Sequence, residues 1–224
     1  MEVLIISDIH NDIENLIEYM DKISLIDFDV VVIPGDFTDV PPKGFSSVEI
    51  AKIILEELKT FKKPILALPG NWDRDLINFL EEEGVSLHGH GKVINEVGFY
   101  GFGGAKTPFN TLFEPSEEEI EKGLEKGFRE IENMEIKVQV THMPPVKTKL
   151  DLVYSGAHVG SEAVRRAIEK FKPVLAISAH IHEARGIDEF NGTKLINSGR
   201  FPEGYCGLAS IKDKKTEVKI VNLI

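Results

Sequence analysis

Cysteine, long apolar runs and positive charge are all scarce in this sequence. Cys206 is the only cysteine among 224 residues, which excludes an internal disulfide and a metal site built from several thiolates. No run approaches the roughly 20 apolar residues that a membrane-spanning helix needs, and the amino-terminal residues lack the basic region of a signal peptide. We therefore expect a cytoplasmic protein with no membrane partner.

Positive charge is outnumbered, with 26 lysine and arginine residues against 37 aspartate and glutamate residues and a formal net charge of −11. Binding to duplex nucleic acid depends on clustered lysine and arginine that neutralise backbone phosphates. This acidic chain is therefore not expected to bind duplex nucleic acid. A metal cation inside a site can still attract a single phosphate group locally.

The first part of the chain alternates short apolar runs with amphipathic segments. The runs Glu2–Ser7, Val30–Ile33 and Pro64–Leu68 predict buried strands, and apolar residues at helical spacing within residues 11–26 and 46–58 predict helices between them. This alternation of strand and helix favours a parallel sheet with right-handed crossovers. In such sheets, ligands bind at the carboxyl ends of the strands.

The rest of the chain has shorter strands and more turns. Glycines divide residues 85–102 into three predicted strands, Asn191-Gly192 predicts a hairpin, and two strands close the chain around a charged turn at residues 213–215. We therefore expect mostly antiparallel pairing in the second half. The whole predicts an α/β fold with one domain over residues 1–224, a four-layer α-β-β-α sandwich of two mixed β-sheets flanked by helices.

Five of the apolar runs end in side chains that bind metals. These segments are Asp8-Ile9-His10, Gly35-Asp36, Gly70-Asn71-Trp72-Asp73, His142 and His180-Ile181-His182. Carboxylate, amide and imidazole ligands suit Mn, Fe, Ni, Co or Zn, and the lack of thiolates disfavours a structural zinc site. Any one of these residues alone could be a turn or strand residue. Five such segments in order, each at the end of an apolar run, favour a metal centre.

These segments resemble the five ordered motifs of the calcineurin-like metallophosphoesterases. Residues 141–145, 155–162 and 179–183 also resemble the short, Icc-like members of that family. The resemblance implies two divalent metal ions. By position, it implies that the first ion is bound by Asp8, His10, Asp36 and His182, and the second by Asp36, Asn71, His142 and His180. Asp36 would then bridge the two ions.

The activity implied by the resemblance is metal-dependent hydrolysis of phosphodiester bonds in a small molecule or nucleotide. A water held between two dications ionises near neutral pH and can attack phosphorus, which places Asp36 and Asn71 in the catalytic centre. Asn71 is also expected to contact the substrate. A non-catalytic metal-binding or interaction scaffold on the same fold is the alternative, and the acidic composition disfavours a nuclease. The sequence leaves open whether the protein forms a homo-oligomer.

Trp72 departs from the family pattern. Most members have a histidine after Gly-Asn, and that histidine is thought to protonate the leaving oxygen, which an indole cannot do. General acid catalysis is typically worth about 10²–10⁴-fold, so its loss favours diesters with good leaving groups. Trp72 itself is either a packing residue or a stacking platform for a nucleobase or aryl group of the substrate.

Two further residues are candidates for binding the substrate phosphate. His158 precedes a predicted helix at residues 162–171, whose N-terminal amides favour an anion. It could contact phosphate or act as the catalytic acid, and the alternative is a plain surface histidine. Arg200 follows the turn Asn197-Ser198-Gly199 and would pair either with phosphate or with a surface carboxylate.

Three loops are expected to form the walls of the pocket, at residues 38–46, 103–115 and 143–160. Their lengths and their glycine and proline content place them outside the strands and helices. His88 and His90 flank a glycine in a turn-like stretch, and we expect both to be exposed and non-catalytic.

Overall fold

The computed structural model describes residues 1–212 and 215–224. Its strands are β1 (Glu2–Ile5), β2 (Val30–Ile33), β3 (Ile65–Ala67), β4 (His90–Ile94), β5 (Val97–Phe102), β6 (Ile136–Thr141), β7 (Leu175–Ser178), β8 (Gly186–Phe190), β9 (Thr193–Asn197), β10 (Tyr205–Lys212) and β11 (Lys215–Asn222). Its α-helices are α1 (Ile13–Ile23), α2 (Ser47–Lys59), α3 (Leu76–Glu82), α4 (Glu117–Glu130) and α5 (Glu162–Phe171). The charged turn predicted at residues 213–215 lies largely outside the described residues.

The strands form two mixed sheets, as predicted. The first has the order β11-β10-β1-β2-β3, with β1, β2 and β3 parallel and the other neighbours antiparallel. The second has the order β4-β5-β6-β7-β9-β8, with antiparallel pairs at its two edges and parallel pairs between β5, β6, β7 and β9.

The expectation of mostly antiparallel pairing in the second half was wrong for the centre of the second sheet. Helix α4 connects β5 to β6, and α5 connects β6 to β7, so each crossover returns the chain in the same direction. The strand predicted at residues 85–87 is reduced to isolated bridges at Ser86 and His88.

The two sheets face each other across an apolar layer, and helices cover their outer faces. Side chains alternate along β1, so Val3 and Ile5 belong to the layer between the sheets while Leu4 packs under the first helices. Helices α1, α2 and α3 pack on the first sheet, and α4 and α5 pack on the second. This confirms the four-layer sandwich. Among the described residues, no helix combines the length and apolar character that a membrane crossing requires.

Side-chain caps fix where the helices begin. Asp12 accepts a hydrogen bond from the Asn15 N–H at the start of α1, and Ser46 and Ser116 form reciprocal capping boxes at the starts of α2 and α4. The cap of α1 matters for the site, because this helix begins immediately after the first predicted ligand segment.

Candidate metal centre and substrate cavity

The seven predicted metal ligands come together at the carboxyl ends of five parallel strands from both sheets. They follow β1 (Asp8 and His10), β2 (Asp36), β3 (Asn71), β6 (His142) and β7 (His180 and His182). Because the two sheets are aligned face to face, their carboxyl ends form one edge of the sandwich. Side chains far apart in sequence are thereby placed within a few ångströms of one another.

The backbone at four of these positions has an unusual conformation. The φ angles of Asp8, His10, Asp36 and His180 are 53°, 50°, 52° and 70°, values that non-glycine residues seldom adopt. Such a conformation costs on the order of 1–3 kcal/mol per residue and persists only where the surroundings enforce it. Backbone hydrogen bonds do so here, since the N–H groups of Asp8 and His10 donate to Gly35 and Asp36, each at 3.1 Å. The sharp turns aim the side chains out of the strand ends.

The glycines of the second and third ligand segments are required by close approach. A Cβ atom at Gly70 would overlap the Asp36 carboxylate, and one at Gly35, where φ is +122°, would lie 2.5 Å from Nδ1 of His142. The lack of a side chain at both positions lets Asp36 and His142 approach each other.

Asp8, His10 and His182 form the first group that could hold a metal ion. The Nε2 atoms of His10 and His182 are 3.2 Å apart, and Nε2 of His182 is 3.5 Å from Oδ1 of Asp8. The other carboxylate oxygen of Asp8 is buried and has no hydrogen-bond partner among residues 1–212 and 215–224. A buried oxygen without a donor is costly, and a cation would satisfy it.

Asp36, His142 and His180 form the second group, and Asn71 joins it. Nε2 of His142 lies 3.0 Å from Oδ1 of Asn71 and 3.4 Å from Oδ2 of Asp36. Nδ1 of His142 is 3.0 Å from the carbonyl oxygen of Pro34, to which it can only donate. This bond leaves the lone pair of Nε2 directed at the site, as a metal-binding histidine requires.

The charges within the second group depend strongly on one another. Burial opposes ionisation of both Asp36 and His142, but their mutual attraction lowers the pKa of Asp36 to about 2 and raises that of His142 to about 9. Burial, followed by the charge on His142, lowers the pKa of His180 to about 4. The buried carboxylates are thus balanced by a proton on an imidazole, in a place where a cation would supply the same charge.

Two aspartates adjacent to the ligand segments interact with the ligand loops without being predicted ligands. Asp73 is fully buried and accepts hydrogen bonds from the backbone of Phe37, Thr38 and Gly70 at 2.9–3.0 Å, which ties the loop after β2 to the loop after β3. Burial, with a contribution from Asp36, raises the pKa of Asp73 to about 7. Oδ2 of Asp39 lies 3.8 Å from Nδ1 of His10, beyond hydrogen-bond distance, and acts on that ring through its charge.

A cavity of about 550 Å³ opens beside the ligands. Its walls are mainly apolar and include Trp72, Phe109, Val153, Val159 and Ile181, with Lys106 as a cation in the wall. We call it the apolar cavity. Of the three loops expected to form walls, 103–115 and 143–160 contribute to it, whereas no residue of loop 38–46 lines it.

Comparison with known proteins identifies the family. The family model for calcineurin-like phosphoesterases matches residues 1–184. An uncharacterized protein of Methanocaldococcus jannaschii is 33% identical over 211 residues, which cover 92% of this chain and 90% of that protein. This chain belongs to the calcineurin-like phosphoesterase family.

Solved structures share the fold at low sequence identity. A crystal structure of a protein from Thermus thermophilus has a TM-score of 0.73 at 18% identity and covers 100% of this chain and 99% of that one. A structure described as that of a novel archaeal phosphodiesterase has a TM-score of 0.55 at 15% identity, covering 99% of this chain and 100% of that one. Both similarities concern the fold, and they agree with the observed sandwich.

Trp72 occupies the position where the calcineurin-like phosphoesterase pattern described above has histidine. It is half-buried, its backbone N–H donates to Oδ1 of Asp36 at 3.2 Å, and it lines the apolar cavity. The residue packs beside the ligands and also lines the cavity, so its position is compatible with either predicted role, a packing residue or a stacking platform.

The structure does not bring His158 into the apolar cavity. Its Nδ1 lies 2.8 Å from Oδ1 of the buried Asp151, and its neighbour Val159 lines the cavity instead. The reason lies within the loop, because Asp151 also accepts from the N–H of Gly160 and holds loop 143–160 closed on itself. The predicted contact with phosphate has no support from this position.

Arg200 lies close to the first ligand group without lining the cavity. The pKa of His182 is raised above its usual value, although burial alone would lower it, because Asp8 accepts a hydrogen bond from the protonated ring. The positive charge of Arg200 opposes this rise. No carboxylate of the described residues is within ion-pair distance of Arg200. One of the two predicted alternatives was an ion pair between Arg200 and a surface carboxylate. Residues 1–212 and 215–224 form no such pair.

Sequence reasoning missed three side chains near the site. Phe109 and Lys106 lie on loop 103–115, and Tyr154 lies on loop 143–160. An aromatic residue inside a glycine- and proline-containing loop was the available signal. His88 was expected to be exposed, but its ring packs against Phe102 at 4.1 Å and accepts a hydrogen bond from the Gly103 N–H at 3.1 Å.

Proposed function

We propose that this protein is a phosphodiesterase that depends on two divalent metal ions and acts on a small phosphoester. The observation that carries the proposal is the position of Asp36 between two ligand groups. Its Oδ2 atom is 3.7 Å from Nε2 of His10 and 3.4 Å from Nε2 of His142. A carboxylate so placed can bridge two ions, and the remaining ligands would complete one site on each side.

The side chains present fit such ions. The first would be held by Asp8, His10, Asp36 and His182, and the second by Asp36, Asn71, His142 and His180. One oxygen of Asp8 is buried and accepts no hydrogen bond from the described residues. The Nε2 atoms of His10 and His182 point at each other. A metal ion would give all three atoms a partner. When bound, two divalent ions supply Lewis acidity, which lowers the pKa of a coordinated water to about 7 and offsets the charge of a phosphate.

Lys106 and Trp72 would have opposite consequences for the reaction. Lys106 would help to attract the phosphate, whereas Trp72 would leave the oxygen of the leaving group without an acid to protonate it. Lys106, at the wall of the apolar cavity, has no ion-pair partner among the described residues and can attract an anion to an otherwise acidic protein. Trp72 has no proton to transfer to the leaving oxygen. The reaction therefore favours leaving groups of low pKa, for which acid catalysis contributes least.

Diester hydrolysis is favoured over monoester hydrolysis by Trp72, which supplies no acid for the leaving oxygen, because diesters with good leaving groups need acid catalysis least. The apolar cavity beside the ligands has room for an organic group attached to the phosphate. A non-catalytic scaffold is less well supported, because every predicted ligand is present and all seven converge.

Metal-dependent turnover tests the proposal. The chain is stripped with a chelator and assayed with bis(p-nitrophenyl) phosphate and p-nitrophenyl phosphate, each with Mn, Ni, Co, Fe or Zn. We expect hydrolysis that needs added metal and is faster for the diester. His90→Ala, at a half-buried histidine on β4 that pairs with Glu81 and Glu130, is the control variant and keeps full activity. No turnover with any of these metals would overturn the proposal, and faster monoester turnover would overturn the preference.

A further inference from the structure

A second, smaller concavity meets the apolar cavity at the metal centre. It has a volume of about 250 Å³ and is lined by Tyr154, His182, Glu183, Arg185 and Glu203. We call it the polar groove. His182 and Glu183 line both spaces, so the two spaces adjoin at one candidate metal ligand.

The polar groove has a fixed wall. The guanidinium of Arg185 lies 3.6 Å from the centre of the Tyr205 ring, and its Nη1 donates to Glu203 at 3.1 Å. Gly199 leaves room for this arginine, since a Cβ atom there would lie 2.7 Å from Cδ of Arg185. Stacking, an ion pair and close packing together hold a donor-rich surface in place, flanked by the carboxylates of Glu183 and Glu203.

The apolar cavity also has a fixed wall. Loop 103–115 is tied to the ligand loop because the Phe113 N–H donates to the carbonyl of Asn71 at 2.8 Å. Within the loop, Thr111 Oγ1 donates to Glu114 at 2.8 Å. This loop carries Phe109, a large apolar residue that is 81% exposed. An aromatic ring left in water at the wall of a cavity, with Trp72 also lining that cavity, is suited to bind another planar apolar group.

We propose that the substrate is a phosphodiester that joins an aromatic group to a hydroxyl-rich group such as a polyol or sugar. Its phosphate lies at the metal centre, its aromatic arm in the apolar cavity between Trp72 and Phe109, and its hydroxyl-rich arm in the polar groove. A diester has two organic arms on one phosphorus, which matches two spaces that meet at His182. The inference rests on the proposed function and specifies its substrate class.

The chemistry of each space selects its arm. Carboxylates of Glu183 and Glu203 accept hydrogen bonds from hydroxyl groups, and Arg185 donates to their oxygens. Tyr154, which is 91% exposed, offers a ring to the C–H face of a sugar or polyol. The larger volume and apolar walls of the other space fit a ring system that avoids water.

A non-hydrolysable probe tests the assignment without relying on turnover. The probe is a phosphinate with one benzyl arm and one dihydroxypropyl arm, in which both ester oxygens are replaced by carbon. Two matched compounds carry methyl in place of either arm. Binding to the zinc-loaded full chain is followed by the fluorescence of Trp72, the only tryptophan in the chain, which lines the apolar cavity.

Two pairs of variants at exposed positions separate the arms. Phe109→Ala is compared with Leu112→Ala on the same loop, and Tyr154→Ala is compared with Leu152→Ala. We expect Phe109→Ala to weaken the full probe about tenfold, as loss of one ring stack does, and to leave the compound without the benzyl arm unaffected. Tyr154→Ala should weaken only compounds with the dihydroxypropyl arm. The two leucine variants should bind as the wild type does.

The possible failures are distinguishable. Equal losses on all compounds, no loss in either variant, or no binding of any probe by the wild type would overturn the two-arm assignment. If arm-specific losses appear but no diester is hydrolysed with any metal, the proposed catalytic function fails while the binding assignment stands.

Discussion

Oδ2 of Asp36 lies 3.4 Å from Nε2 of His142. The carboxylate comes from the first sheet and the imidazole from the second, so the contact joins the two halves of the sandwich at their carboxyl edge. The same oxygen is 3.7 Å from Nε2 of His10. The Asp36 carboxylate therefore lies between the two ligand groups, and we propose that both groups share it.

Asp36→Ala is expected to abolish metal binding at both sites. Removing the shared ligand takes one donor from each ion, and loss of even a supporting residue typically costs about 10–100-fold in metal affinity. Isothermal titration with Mn²⁺ measures the stoichiometry. Asp39→Ala is the matched comparison, because the Asp39 carboxylate is near His10, at 3.8 Å, but is not a predicted ligand. This variant should bind metal more weakly and still bind two ions per chain. Two ions bound to Asp36→Ala would refute the bridging role.

Trp72→His is expected to raise turnover for diesters with alkyl leaving groups more than for those with aryl leaving groups. An imidazole at this position can protonate the leaving oxygen, and general acid catalysis is worth about 10²–10⁴-fold where the alkoxide leaves poorly. The ratio of kcat values for the two substrate types is the measurement. Trp72→Phe, which keeps an aromatic wall but adds no acid, should leave the ratio unchanged. An equal increase for both substrates would count against a missing acid.

Asp73→Ala is expected to destabilise the fold by at least about 3 kcal/mol, since it leaves several buried N–H groups without an acceptor at about 1–3 kcal/mol each. The donors are the backbone groups of Phe37, Thr38 and Gly70. Urea unfolding in the presence of a chelator measures the change without bound metal. Asp75→Ala, at an exposed carboxylate that forms no cap hydrogen bond, should change stability by less than about 0.5 kcal/mol. Similar effects of the two substitutions would contradict the proposed tie between the loops.

His88 is expected to make the fold sensitive to acid. Burial, followed by the charges of His90 and Lys126, lowers its pKa to about 4. Because the folded pKa is below the unfolded value of about 6.5, the unfolded chain binds the proton first as the pH falls. Stability contributed by the neutral ring is therefore complete above pH 6.5 and lost progressively toward pH 4, by about 3 kcal/mol at about 1.4 kcal/mol per unit.

His88→Asn separates this proton from the packing of the ring. The asparagine oxygen can accept the bond from Gly103, which His88 accepts at 3.1 Å, but it does not titrate in this range. The variant should lose less stability than the wild type between pH 7 and pH 4.5 in urea unfolding. Parallel losses in the two proteins would show that the acid sensitivity lies elsewhere.

The ligand segments could be identified from the sequence because their signal is local. Asp8, Asp36 and His142 each end an apolar run, and the carboxyl ends of parallel strands meet at one edge. The alternation of strands and helices likewise predicted the three parallel strands of the first sheet, but not that β10 and β11 join them. These inferences need only the order of elements and the chemistry of single residues.

The remaining features depend on side-chain contacts and loop anchors that form only in the folded chain. The direction of β6 and β7 follows from how α4 and α5 cross the second sheet, which turn signals do not report. His158 is held by Asp151, and His88 packs between rings from β5 and the following loop. Phe109 and Tyr154 line the spaces beside the ligands because of where their loops are anchored. No local pattern encodes those anchors.

Anomalous diffraction from crystals soaked in Mn²⁺ tests the central claim most directly. We predict two peaks about 3.5–4 Å apart, the spacing usual for two-metal sites. One should be bound by Asp8, His10 and His182, the other by Asn71, His142 and His180, with the Asp36 carboxylate between them. A single peak in fully soaked crystals, or two peaks that do not share Asp36, would contradict a two-metal centre bridged by this residue.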